Sequence, residues 1–580
     1  MAFSRPSFGS SNQITLFSPY KSKHDYWNRR CSKTCFTILS KQTINLPENA
    51  KRKEGFNVRH GEAVEKVKRA LMMRSNAEEC LFMVDSIQRL GIEHHFEHEI
   101  ASTLENNYLQ TQTRTSYHHP HPHQKLSRVA LQFRLLRQQG YYVHTDVFDE
   151  YRNTEGKLKH TLLYEEDIDG LMALFEASQL SIPGEHFLDE AALFSRQYLC
   201  SIASRFHDHP QAKPIQQTLR FPIHRTLPRF IPQTLHLNGN APWTTSLQEL
   251  SQMDTQLLNS LHLKEIAQVS KWWKDLGLAK KLKFVRDEPI KWYMWPMACL
   301  PDPRFSRERV DLTKPLSLIY IVDDIFDCYG SIHELTLFTR AVQRWELAAM
   351  EELPECMKVC FKALYQVTNE FALNTYIKHG LNPINTLVKS WVRLCNAFLE
   401  EAKWFESGKI PSAEEYLKNG RVSTGVQVIL VHAFFSMGHG LTNHNVSLMN
   451  EFPTIISTLS TILRLCDDLE GDNDVKKDGT DGSYMKCYIK DHPGVSIEEA
   501  RKHIKHRISD EWKRLNQELV APENQLPSSF VRMCFNAARM VPLMYSYDGD
   551  TPSMLEDHVK SLLCNADNLS TSYSATTSIQ

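Results

Sequence analysis

Leu316-Ser-Leu-Ile-Tyr-Ile-Val-Asp-Asp-Ile-Phe-Asp327 is an apolar run that ends in three carboxylates. A helix drawn through it stacks Asp323 and Asp327 one turn apart on one face. Two carboxylates placed so closely at the edge of an apolar wall repel each other unless a cation lies between them. Hard divalent ions suit that place, and Mg²⁺ in particular takes one or two carboxylates plus substrate phosphates. A solvated acidic helix end is the plainer reading of the same residues. A second stretch, Arg464-Leu-Cys-Asp-Asp-Leu-Glu-Gly-Asp-Asn-Asp474, again follows an apolar helix, Ile455–Leu465. Two acidic helix ends facing each other across a cavity can hold a diphosphate through several Mg²⁺ ions. Arg464, one turn before Asp467, suits the phosphate oxygens as a bidentate donor.

Outward from these two stretches the pattern stays helical, and the expected fold class is all-α with two helical domains. Glu78–Leu90 places Cys80, Met83, Val84, Ile87 and Leu90 on one face, and similar spacing recurs in Leu131–Leu136, Leu171–Leu180 and Leu188–Leu199. Tyr117-His-His-Pro-His-Pro-His123 cannot stay helical across its prolines and reads as a loop. Its four histidines are metal-capable, but a solvated polar loop is the simpler account. The Pro-rich stretch Pro222–Trp243 precedes the domain boundary, giving an N-terminal helical domain over 48–245 and a C-terminal one over 246–580, with helical patterning resuming at Leu247.

The chain has 580 residues, 42% of them hydrophobic, enough for two sizeable cores. Its 67 basic and 68 acidic side chains balance, which argues against a dedicated nucleic-acid binder. The apolar stretch Val426–Phe435 is far shorter than the roughly 20 residues of a spanning helix. The 13 cysteines show no paired metal spacing and suit a reducing compartment. Residues 1–47 carry eight serines and many basic residues against the single acid Asp25, the composition of an organellar transit peptide. A disordered tail is the alternative.

A helix ending in Asp-Asp-Ile-Phe-Asp327 followed by the acidic motif at Asp467 is similar to the plant class I terpene synthase family. Lys283-Phe-Val-Arg-Asp-Glu-Pro-Ile-Lys-Trp-Tyr-Met-Trp295, Leu312-Thr-Lys-Pro-Leu-Ser317, Glu401-Ala-Lys-Trp-Phe405 and Met540-Val-Pro-Leu-Met-Tyr-Ser-Tyr547 resemble it too. The resemblance implies a C-terminal catalytic domain and an N-terminal domain without chemistry. It implies Asp323, Asp327 and Asp467 as metal ligands, with Asp324 in support. Arg286 and Arg464 then bind diphosphate, with Asp323, Asp327 and Arg464 central to catalysis. Trp292, Trp295, Tyr547 and Asp548 match positions near the apolar cavity or its closing loop, although core packing also explains such aromatics. The implied cofactor is Mg²⁺ (or Mn²⁺), three ions in all. The implied substrates are geranyl and farnesyl diphosphate, and a monomer is expected.

Three departures from the family pattern stand out. The second motif has Gly471 and Val475 where the family has a hydroxyl and a glutamate, and Asp474, seven residues after Asp467, returns to nearly the same helix face as a substitute ligand. Asp472 or water would complete that site. The family's Arg-x-Arg reads Arg286-Asp-Glu288, and the tandem arginine with its downstream Trp is missing, since Leu39 stands where the Trp belongs. The last two departures, with Asp481-Gly-Ser-Tyr484, resemble a subgroup that makes acyclic products. Linalool in the plastid is the first expectation, nerolidol in the cytosol the second; cyclic or olefinic products, or a diphosphate-binding homologue with impaired catalysis, are the rivals.

Overall fold

The computed structural model describes residues 50–73, 76–115, 125–155, 157–159, 167–205, 211–231, 242–471, 483–521, 526–544, 557–558 and 561–562. Among them there is no β-strand, only an isolated bridge between Arg152 and Leu158. The N-terminal half holds α1 (Ala50–Met72), α2 (Ala77–Arg89), α3 (Glu97–Thr115), α4 (Leu126–Gln138), α5 (Ile168–Ser178), α6 (His186–Arg205) and α7 (Ala212–Arg220). Helix α8 (Pro242–Leu276) leads through the short turn α9 (Leu278–Lys281) to α10 (Pro289–Cys299) and α11 (Ser306–Cys328). There follow α12 (Ile332–Arg344), α13 (Glu355–His379), α14 (Ile384–Ser407), α15 (Ala413–Ser423), α16 (Val426–Met437) and α17 (Asn443–Glu451). The last four are α18 (Thr454–Gly471), α19 (Tyr484–Asp491), α20 (Ile497–Val520) and α21 (Ser528–Met544).

The sequence dictates many of these boundaries locally. Ser331, Ser412 and Ser496 each accept from a backbone N–H three residues on, while Glu334, Glu415 and Glu499 reach back to the serine's own N–H. Such reciprocal boxes satisfy two orphan donors at the starts of α12, α15 and α20. The periodic segments near 78–90, 131–136, 171–180 and 188–199 are α2, α4, α5 and α6. Val426–Phe435 lies in α16, packed in the core, and no described helix is long and apolar enough to cross a membrane. The histidine-rich loop at 117–123 lies outside the described residues.

One correction concerns the middle of the chain. Helical structure resumes at Pro242, not at Leu247, and α8 then runs without a break to Leu276. Proline is well tolerated in the first turn of a helix, where its missing N–H has no partner to lose. Trp243, Leu247 and Leu250 pack in the core of the N-terminal half, whereas Leu263, Ile266 and Val269 pack in that of the C-terminal half. A wholly buried ion pair fixes α8 against α11: Arg309 Nε and Nη2 donate to the two oxygens of Glu265 at 2.7 and 2.6 Å, while Nη1 donates to the carbonyls of Leu300 and Asp302. The guanidinium fork matches the carboxylate geometry, and the carbonyls take its remaining hydrogens, as a buried charge requires.

Candidate active site

A cavity of about 180 Å³ lies within the C-terminal half, and every residue lining it falls between 286 and 544. Helix α11 contributes Leu312, Leu316, Ile319, Tyr320 and Asp323, a stripe at helical spacing that changes from apolar to acidic. Helix α18 presents the same design with Leu459, Leu463, Arg464 and Asp467. Trp292, Trp295 and Cys299 of α10 form another wall, and Met533, Ala537, Val541 and Met544 of α21 line a further side. Between α15 and α16 the chain turns at Gly425, whose φ is +71°. A Cβ there would stand 2.7 Å from Ile319 Cγ2, so the turn and the close approach to α11 both require glycine.

The acidic end of the cavity is already paired. Arg286 donates from Nη2 to Asp323 at 2.5 Å, and from Nε and its backbone N–H to Asp324 at 2.7 and 2.9 Å. Its guanidinium also stacks over Tyr320, 4.9 Å from the ring centre. Burial works against the charged guanidinium, but the two carboxylates hold its pKa above the ordinary arginine value. Across the cavity, Arg464 Nη1 lies 3.5 Å from Asp467 and 3.6 Å from Asp468. Its Nε is buried without a hydrogen-bond partner. Asp468 faces the protein: it accepts from the Tyr416 hydroxyl and from the backbone N–H of Tyr484, which anchors the start of α19.

Arg286, Trp292, Trp295, Asp323, Arg464 and Asp467 thus meet at one cavity. Asp327, one turn beyond Asp323, is exposed and is not among the lining residues. Asp474, Tyr547 and Asp548 lie outside the described residues. The donor chemistry fits Mg²⁺: carboxylates from two helices stand at one end of an otherwise apolar space, beside arginines suited to phosphate. Sequence reasoning missed Tyr320, Lys291 and the Ser423–Gly425 link. Lys291 lines the cavity 3.4 Å from Glu288, and its signal was the single cation one turn into α10 after the altered Arg286-Asp-Glu288.

An all-helical two-part chain with an aromatic cavity capped by two acidic helix ends is the architecture of class I terpene synthases. Comparison with known proteins agrees. Residues 34–219 match the terpene synthase N-terminal domain, and residues 274–514 match the metal-binding domain of the terpene synthase family. A chloroplastic neryl diphosphate diphosphatase from Glycine max is 50% identical over 84% of this chain and 91% of its own. An (E)-nerolidol synthase from Cannabis sativa is 44% identical, covering 93% and 99%. A chloroplastic S-(+)-linalool synthase from Arabidopsis thaliana is 42% identical, covering 86% and 87%. Among solved structures, isoprene synthase from grey poplar, in complex with three Mg²⁺ ions and dimethylallyl-S-thiolodiphosphate, superposes with a TM-score of 0.78 at 29% identity, covering 88% of this chain and 96% of that one. The chain belongs to the terpene synthase family, whose members are lyases acting on prenyl diphosphates.

Proposed function

We propose that this enzyme ionises geranyl or farnesyl diphosphate and quenches the allylic cation with water, giving an acyclic tertiary alcohol, linalool or nerolidol. The observation that carries the reading is the convergence of Asp323, Asp467 and Arg464 on one end of an aromatic cavity. Loss of diphosphate from an allylic carbon is limited by charge separation. Arg464 and Arg286 place positive charge where the leaving group gains negative charge, which is where stabilisation lowers the barrier. Asp323, Asp327 and Asp467, with Asp474 as the substitute fourth ligand, would hold Mg²⁺. Three such ions, when bound, would neutralise the diphosphate as it departs.

The faces of Trp292, Trp295 and Tyr320 then stabilise the cation, by about 0.5–2 kcal/mol per ring. Leu316, Ile319, Leu459 and Leu463 exclude bulk water and so decide how the cation is quenched. The altered Arg286-Asp-Glu288 and the absence of a Trp at Leu39, downstream of Arg29-Arg30, support an acyclic product, as do the names of the Cannabis and Arabidopsis relatives. A second reading, favoured by the 50% identical neryl diphosphate diphosphatase, has water attack the primary carbon of the cis-prenyl substrate. Chloroplastic relatives and the basic, serine-rich N-terminus support a plastid location.

The test is product analysis of the purified chain, begun near residue 48, with Mg²⁺ and with geranyl, neryl or farnesyl diphosphate supplied singly. Linalool and nerolidol as dominant products are expected. A primary alcohol from the neryl substrate alone selects the second reading. Cyclic products would overturn both.

A further inference from the structure

Far from the catalytic cavity, three imidazoles converge on one carboxylate oxygen. His60 comes from α1, His94 and His95 from the helical turn Glu93–His95, and Asp254 from α8. Nε2 of His95 lies 2.7 Å from Asp254 Oδ1, Nε2 of His94 lies 3.5 Å from it and Nε2 of His60 3.7 Å. The other oxygen, Oδ2, accepts from Arg229 Nη2 at 2.6 Å. The Asp254 side chain is 2% exposed. Only His95 satisfies its Nε2 there: those of His60 and His94 are buried with no hydrogen-bond partner. Buried polar atoms without partners are uncommon, and an ion held between His60 Nε2 and Asp254 Oδ1 would give the first of them a partner.

Geometry and chemistry narrow what such an ion is. The ligand atoms of His60, His95 and Asp254 all lie within 4.8 Å of one another. A tetrahedral ion with bonds of about 2.0–2.1 Å spaces its ligands by roughly 3.4 Å. The 3.7 Å from His60 is close to that spacing. His95 Nε2–H is hydrogen-bonded to Oδ1 at 2.7 Å, so an ion would replace that proton, leave the imidazole N–H on Nδ1 and open the contact by about 0.7 Å. Two imidazoles and one carboxylate suit a d-block divalent ion, not Mg²⁺, which prefers oxygen alone. Nδ1 of His94 faces Arg229 Nη2 at 3.5 Å and accepts from it, which puts the proton of His94 on Nε2. A protonated Nε2 cannot ligate a metal, so His94 stands beside the site and is not one of its ligands. A cavity of about 1080 Å³ is lined by His94 and Arg229, the two residues that flank the cluster.

We propose that His60, His95 and Asp254 form a binding site for a divalent d-block cation, Zn²⁺ foremost, that pins α1 and the Glu93–His95 turn to α8. The site is independent of the catalytic carboxylates and of the reaction assigned above. Its occupant ties the N-terminal half to the helix that enters the C-terminal half.

The experiment uses the full chain with His118, His119, His121 and His123 replaced by serine, so that the histidine-rich loop cannot bind metal. The protein is stripped with chelator, placed in excess Mg²⁺ and titrated with Co²⁺, then with Zn²⁺. One equivalent of Co²⁺ with tetrahedral-type visible bands, displaced by Zn²⁺, is expected, together with a melting temperature that rises with Zn²⁺. His60→Ala in the same background removes an imidazole that makes no hydrogen bond through Nε2, so it should fold and melt as the parent does in chelator. It should lose both the bands and the Zn²⁺-dependent rise. Absence of Co²⁺ binding in the parent, or equal binding in parent and His60→Ala, would overturn the proposal.

Discussion

Arg286 Nη2 sits 2.5 Å from Asp323 Oδ2, so the guanidinium that is suited to the substrate's phosphates is also the partner of a carboxylate suited to the metal. The two roles compete: a cation that takes Asp323 must displace this contact, and the freed nitrogen then faces the cavity. Asp324 keeps the rest of Arg286 in place through Nε and the backbone N–H. Replacing Arg286 by Gln therefore removes a competitor for Asp323 and a charge for diphosphate at once. Steady-state assays should show turnover lowered by about 100-fold, the scale of a lost transition-state donor, with no increase in the Mg²⁺ needed for half-maximal rate. A requirement for much more Mg²⁺ would contradict the competition.

Asp323 and Asp324 are adjacent but differ in environment. Asp323 lines the cavity and is 30% exposed at its side chain, while Asp324 is buried against Arg286. Asp323→Asn should abolish Mg²⁺-dependent turnover and leave thermal stability nearly unchanged. Asp324→Ala should instead leave Arg286 Nε and its backbone N–H without their acceptor and destabilise the fold by about 1–3 kcal/mol, measurable by urea denaturation.

Lys291 is the first cation after the position where Glu288 replaces an arginine. It lies inside the cavity beside that glutamate. Lys291→Met should raise KM for the prenyl diphosphate about tenfold, equivalent to about 1.4 kcal/mol, with a smaller effect on kcat. An unchanged KM would mean that Lys291 serves Glu288 alone.

Cys299 and Met533 line both the catalytic cavity and the larger interdomain cavity, so their side chains are the partition between the two. Trimming Cys299 to Ala should shift kcat/KM several-fold toward longer prenyl diphosphates when geranyl, farnesyl and geranylgeranyl substrates compete. Cys299→Phe should shift it the other way.

His432 is fully buried in α16, with Nδ1 against the Val428 carbonyl at 2.7 Å and Nε2 without a partner. Burial lowers its pKa to about 4, although the Val428 carbonyl pulls the other way. The unfolded chain binds this proton near pH 6.5 and the folded one only near 4, so stability falls as pH drops through that window. His432→Phe should flatten the decline between pH 6.5 and 4 by up to roughly 3 kcal/mol, read as the pH dependence of urea midpoints.

Much of this architecture was legible in the residues, and the exceptions have physical causes. The stripe from Leu316 to Asp323 and its counterpart from Leu459 to Asp467 were visible because helical spacing repeats within a few residues. The pairing of Arg286 with Asp323 was not, since no local pattern records which residue a side chain meets across the fold. Lys291 was not separable by pattern from a solvated surface cation, because its place at the cavity is set by how α10 packs in the fold. The partition by Cys299 and Met533, and the meeting of His60 with Asp254, depend on packing between distant segments and have no sequence signature.

Helix α8 begins among the side chains of one core and ends among those of the other. Among the described residues the N-terminal half lends nothing to the catalytic walls, yet it cannot be discarded like a spent leader. Cutting the chain before α8 would leave Trp243, Leu247 and Leu250 bare at one end of the helix whose other end braces α11 through Glu265 and Arg309. A catalytic half made on its own would carry a greasy stump. Such a surface invites self-association, so the silent half persists as a sleeve over a shaft that the working half cannot do without.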